Sequence, residues 1–89
     1  FGVFEFALIF AVSDFEVGLR LAQTFIRYVF SLHIEHAFSP FGRVTVSVGI
    51  STARAVDIAG SQQNIIIAAD QALYQAKRGG RNRHAFVGV

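Results

Sequence analysis

RVTVSVGIS, residues 43–51, alternates apolar and small polar residues without a break. Successive side chains of a strand leave on opposite faces, so Val44, Val46, Val48 and Ile50 share one face while Thr45, Ser47 and Gly49 share the other. A strand with so apolar a face must pack against another element. Upstream, Phe15, Leu19, Ala22, Ile26 and Val29 recur every three or four residues, with Glu16, Arg20, Gln23 and Arg27 on another side. That period predicts an amphipathic helix from Asp14 to about Leu32, with Ser13 as its N-cap and Glu16 closing a capping box. Before it, EFALIFAV (residues 5–12) has no helical polar face and reads as a buried strand. The Ser-Pro and Gly of HIEHAFSPFG (residues 33–42) make the connection.

Downstream, TARAVDIAGS (residues 52–61) reads as a loop, and Ser61 as the N-cap of a second helix running to about Arg78. Gly79-Gly80 supply a left-handed cap, and HAFVGV (residues 84–89) fits a short closing strand. The order β-α-β-α-β predicts an α/β sandwich with helices against a sheet.

Eighty-nine residues, 53% of them hydrophobic, suffice for one small domain and exclude intrinsic disorder. The apolar run Phe6 to Val12 is far short of the roughly 20 residues needed to cross a bilayer, so no membrane insertion is expected. The absence of cysteine removes disulfides, thiolate zinc sites and thiol chemistry, and leaves a cytoplasmic location as the default. The chain lacks Met and opens on an aromatic-glycine step, which predicts a piece of a longer polypeptide, one that could attach it to a membrane-bound signalling protein. Net charge is only +2, yet Lys77, Arg78, Arg81 and Arg83 gather four of the eight basic side chains into one positive region.

ADQALYQAKRGGRNR, Ala69 to Arg83, closely resembles the terminal helix-and-loop signature of GGDEF domains, the diguanylate cyclase family, which reads A-D-x-A-L-Y-x-A-K-x-x-G-R-N. VTVSVGIS, from Val44, resembles the family strand V-T-x-S-x-G-[IV], and FGVFEFALIF, from Phe1, resembles its signature hairpin. The three occur in the family's order and correspond to its C-terminal half. The resemblance implies a β-α-β-α-β fragment of a nucleotidyl-cyclase-like fold, ferredoxin-like and palm-type, from bacterial signalling. It implies conversion of two GTP to cyclic di-GMP in intact relatives, with Mg²⁺ as cofactor and two subunits meeting.

Aligned by Glu-Phe, Gly2, Glu5 and Phe6 match the signature, whereas Val3 replaces a turn glycine and Phe4 an acid that helps hold the metal in the family. A β-branched residue obstructs a tight turn, and a phenyl ring offers a hard cation no oxygen. Glu5 is left as a weak metal candidate, and this chain is expected to be catalytically inactive. Lys77 and Arg81 match the family's triphosphate contacts, so GTP or cyclic di-GMP would be weakly held. The same two cations are explained equally well by the helix macrodipole. The alternative is a non-catalytic regulatory or dimerisation module with a weak GTP or phosphate site, associating as a homo-oligomer.

Other clusters have plainer explanations. Asp70, Tyr74 and Lys77 share a helix face by spacing alone. His33, His36 and His84 have the residue type of metal ligands, but no fourth ligand is evident. The ten Phe are read as core, and no nucleic-acid surface is expected, because the basic cluster contains no aromatic before Phe86.

Overall fold

A computed structural model describes residues 5–52 and 55–88, with the backbone alone over 55–63. The elements are β1 (Glu5–Val12), α1 (Phe15–Ser31), β2 (Thr45–Thr52), α2 (Ala55–Arg78) and β3 (His84–Gly88), the order expected from the sequence. The strands form one parallel sheet in the order β1-β2-β3, with Glu5 opposite Thr45 and Val48 opposite His84. A small α/β fold results, with a helix against each face of the sheet.

The central strand departs from simple alternation, because β2 is buried on both faces. Val46, Val48 and Ile50 face α1 and form the main core with Ala22, flanked by Leu8, Phe10, Val12, Phe15, Ile26 and Val29. The opposite face carries Ser47, Gly49 and Ser51, all of them small, and α2 lies directly on it. A Cβ at Gly49 would stand 2.9 Å from Leu73 Cα and closer still to the backbone oxygen of Ala69 and nitrogen of Leu73. Ala68, Ala69, Ala72 and Ala76, buried along α2, permit that approach. The polar positions of RVTVSVGIS therefore face a helix rather than water.

Flanking elements differ in detail from the expectation. The N-cap of α1 is Asp14, not Ser13: its backbone is extended and its side-chain Oδ1 accepts the N–H of Glu16 at 2.9 Å. Both residue types cap well, but the Asp carboxylate also complements the helix dipole. Asp14→Ala is expected to cost about 1 kcal/mol, read as a fall of roughly 4–8 °C in Tm. The last turn of α1 has no cation of its own. Arg43 supplies one from the connection, donating to Phe30 O at 3.0 Å with its guanidinium 4.2 Å from the Phe30 ring centre. The second helix starts at Ala55, so the expected loop is largely helical and Ser61 lies inside it. Interior Gly60 and Ser61 cost a helix only about 1 kcal/mol or less each, which tertiary packing outweighs.

β1 has its expected limits but is an edge strand, half-buried rather than buried, with Phe6 and Ile9 exposed. Nor are the phenylalanines mainly core. Phe6, Phe25, Phe38, Phe41 and Phe86 are exposed, and the fully buried side chains are Val, Ile, Ala, Ser and Thr. A doubly covered strand against an alanine-lined helix leaves no room for rings, which sit instead at its margins, as in the edge-to-face Phe15–Phe86 pair at 4.8 Å.

Candidate functional site

The site is built where α2 ends and β1 begins. The Gly80 N–H bonds to Lys77 O at 3.3 Å and the Arg81 N–H to Ala76 O at 3.0 Å, which together form a Schellman ending with Gly80 at positive φ. The next two residues, Arg81 and Asn82, also adopt positive φ, 65° and 50°. For a residue with a Cβ this conformation costs roughly 1–2 kcal/mol, so the surrounding bonds must hold it. Arg83 contributes by donating Nε–H to Arg81 O at 2.9 Å, and the chain then enters β3 through the Val48 N–H bond to Arg83 O, also 2.9 Å.

This turn brings Arg81 back across the sheet to Glu5. The Arg81 guanidinium donates to Glu5 Oε1 in an ion pair, while Ser47 Oγ donates to Glu5 Oε2 at 2.9 Å. Parallel pairing of Glu5 with Thr45 sets Glu5 and Ser47 on the same face, two residues apart in register. The Glu5 side chain is 9% exposed and that of Arg81 38%. The carboxylate is thus nearly enclosed with both oxygens engaged, and the arginine keeps an open side.

The structure brings together two of the residues singled out from sequence, Glu5 and Arg81, although they were assigned to different ligands. Lys77 is half-buried in the last turn of α2, one residue before its end, and has no acidic partner among the described residues. Phe6 turns to the other face and is exposed, and Gly2, Val3 and Phe4 lie outside the described residues. Tyr74 engages Arg78 rather than Lys77, its hydroxyl accepting from the guanidinium at 3.4 Å. His36 accepts the Phe38 N–H on Nδ1 at 3.2 Å, and among the described residues no three His, Cys, Asp or Glu side chains gather as metal ligands. Sequence reasoning missed Ser47. Its signal was available, since a parallel register beginning at Glu5 places a hydroxyl beside that carboxylate.

A parallel sheet between two helices, with an arginine presented just beyond a glycine-capped helix end, defines a small α/β domain of palm-like type. The family model described as "Diguanylate cyclase, GGDEF domain" matches residues 1–83, and the chain belongs to that family. It is therefore a diguanylate cyclase-like domain of cyclic di-GMP signalling, from a family that binds GTP, often dimerises and generally uses Mg²⁺. No curated protein and no solved structure matches it. Among the described residues no helix is long and apolar enough to cross a membrane.

The donor set at this site does not fit Mg²⁺. A hard cation takes several oxygens in near-octahedral geometry, and among the described residues the site offers one carboxylate, already committed to a guanidinium and a hydroxyl. A cation there would also face the positive charge of Arg81.

Proposed function

We propose that this GGDEF domain does not itself form cyclic di-GMP, and that it acts in cyclic di-GMP signalling as a non-catalytic regulatory or dimerisation module. Lys77 and Arg81 form its weak site for GTP or another phosphate. The observation that carries the reading is the pairing of Glu5 with Arg81. In a cyclase the carboxylates of the signature serve a metal and the arginine serves phosphate, so that both stabilise charge on the reacting groups. Here the surviving carboxylate and the arginine neutralise each other. Phe4 offers no second acid to take the metal, and Val3 adds a side chain where the signature has glycine.

Phosphate binding survives in weakened form because Arg81 remains partly open and Lys77 stands nearby without an acidic partner. An incoming phosphate must compete with Glu5 for one guanidinium, and it gains the unpaired ammonium. A cytoplasmic domain that associates with a second copy is consistent with this role.

The test is a thermal-shift titration with GTP, paired with an assay of cyclic di-GMP formation in the presence of Mg²⁺. A small rise in Tm at millimolar GTP, reduced by both Lys77→Ala and Arg81→Ala, together with no dinucleotide product, is the expected result. Product formation would overturn the non-catalytic assignment, and equal shifts in all three proteins would remove the phosphate site.

A further inference from the structure

On the opposite face of the sheet from Glu5 lies an open groove of about 350 Å³, lined by Gln23, Ile26 and Arg27 of α1 and by Asn82, Arg83 and His84 where the chain enters β3. His84 lies opposite Val48, whose side chain faces α1, so the parallel register puts the His84 ring on the α1 side. The left-handed turn at Arg81 and Asn82 thus divides the basic cluster. It sends Arg81 to the face that carries Glu5 and His84 to the other. The signature resemblance assigns no role to Gln23, Arg27, Arg83 or His84.

Three features give this pocket a chemistry. Arg27 and Arg83 both line it, and among the described residues neither has an acidic partner; their only bonds are Nε–H donations to the carbonyls of Gln23, at 3.4 Å, and of Arg81, at 2.9 Å. No acidic residue lines it, while Gln23 and His84 add neutral or cationic N–H donors. Two guanidiniums without acids give the pocket the charge and N–H donors that a phosphate needs. Finally, Asn82 Oδ1 is buried and has no hydrogen-bond partner. An orphaned acceptor costs free energy until a donor reaches it, and a bare phosphate dianion brings none, whereas a hydroxyl does. Ile26 provides an apolar wall between the two polar ends.

We propose that this pocket binds a small hydroxyl-bearing phosphate ester, with Arg27 and Arg83 on the phosphate and Asn82 accepting from a hydroxyl. Its size lies at the small end of ligand pockets, matching a sugar phosphate rather than a dinucleotide. The site is separate from Lys77 and Arg81, and stands or falls independently of them.

Calorimetric titration of the chain with ribose 5-phosphate and with inorganic phosphate tests this, alongside amide NMR spectra at each end point. The ester is expected to bind at least fivefold more tightly than inorganic phosphate. Arg27→Gln and Arg83→Gln should each weaken it about tenfold, as loss of a charge-assisted contact does. Arg20→Gln, which removes a charge from the same helix outside the pocket, should change it less than twofold. Because Arg27 is exposed on α1, its replacement leaves folding intact, which the NMR spectrum verifies. Signals of Gln23 and Arg27 should move on titration. An Arg27→Gln protein that binds as well as the parent overturns the site. Shifts confined to Lys77, Gly80 and Arg81 would do the same, by placing the anion on the other face. Equal affinity for the two ligands overturns the ester assignment.

Discussion

Gly49→Ala is expected to destabilise the domain by about 3 kcal/mol or more, the largest loss of any single methyl addition in the described fold. The added Cβ would meet Ala69 O, Leu73 N and Leu73 Cα, which are helix backbone and cannot rotate aside. Relief requires α2 to lift from the sheet, and lifting it strips contacts from Ala69, Ala72 and Ala76 together, each now fully or almost fully buried. Neighbouring Ser51 is the control. It is buried on the same face, its Oγ has no hydrogen-bond partner, and Ser51→Ala removes an unsatisfied polar atom without adding volume. That variant should match or slightly exceed the parent in stability. Urea unfolding of the three proteins decides the matter, with a Tm deficit for Gly49→Ala of roughly 12–24 °C expected in parallel. A near-parental Gly49→Ala would mean that α2 does not approach β2 this closely.

The same glycine shows where sequence patterning carried information and where it fell short. Alternation in residues 43–51 locates β2 and predicts its Val and Ile face correctly, because a period of two is set by the pleat itself. What alternation cannot distinguish is a solvent-facing polar side from a side kept small for a helix; Ser, Thr and Gly serve both purposes. The helix that settles the question is poorly marked at its start, since Gly60 and Ser61 imitate a boundary that five earlier helical residues override. Likewise ten phenylalanines suggest an aromatic core only until the topology is known. An edge strand and a central strand covered on both sides leave the rings at the periphery. The end of α2 was legible because Gly79-Gly80 is a local signal with a local outcome. The union of Glu5 with Arg81 was not. These residues are 76 positions apart, and each had a separate role by resemblance, so only the register of β1 on β2 and the turn at Gly80 bring them together.

Glu5→Gln is expected to raise affinity for GTP and for inorganic pyrophosphate at the Lys77–Arg81 end by about tenfold, the opposite direction from an ordinary loss of a conserved-type acid. The substitution keeps the shape of the side chain and its hydrogen-bonding capacity. An amide oxygen can still accept from Arg81, and its NH₂ can donate to Ser47, whose hydroxyl rotates to accept. Only the negative charge is removed. Arg81 then loses the partner with which an incoming phosphate must compete, and the end of α2 gains a full unit of positive potential. The stability change should be modest, a loss of about 1 kcal/mol, because Arg81 is more than a third exposed and solvent already screens the pair. Arg81→Ala makes the complementary case. It deletes the phosphate contact and strands a carboxylate that is 9% exposed, so affinity and Tm should both fall. The double variant Glu5→Gln with Arg81→Ala should recover much of the lost stability but none of the affinity, since the stranded charge is gone while the guanidinium is still missing. Measured at two salt concentrations, the gain in Glu5→Gln should shrink as ionic strength rises, which marks it as electrostatic. If Glu5→Gln instead binds GTP more weakly than the parent, Glu5 positions Arg81 for phosphate, and the pair is a support for the site, not a competitor of its ligand.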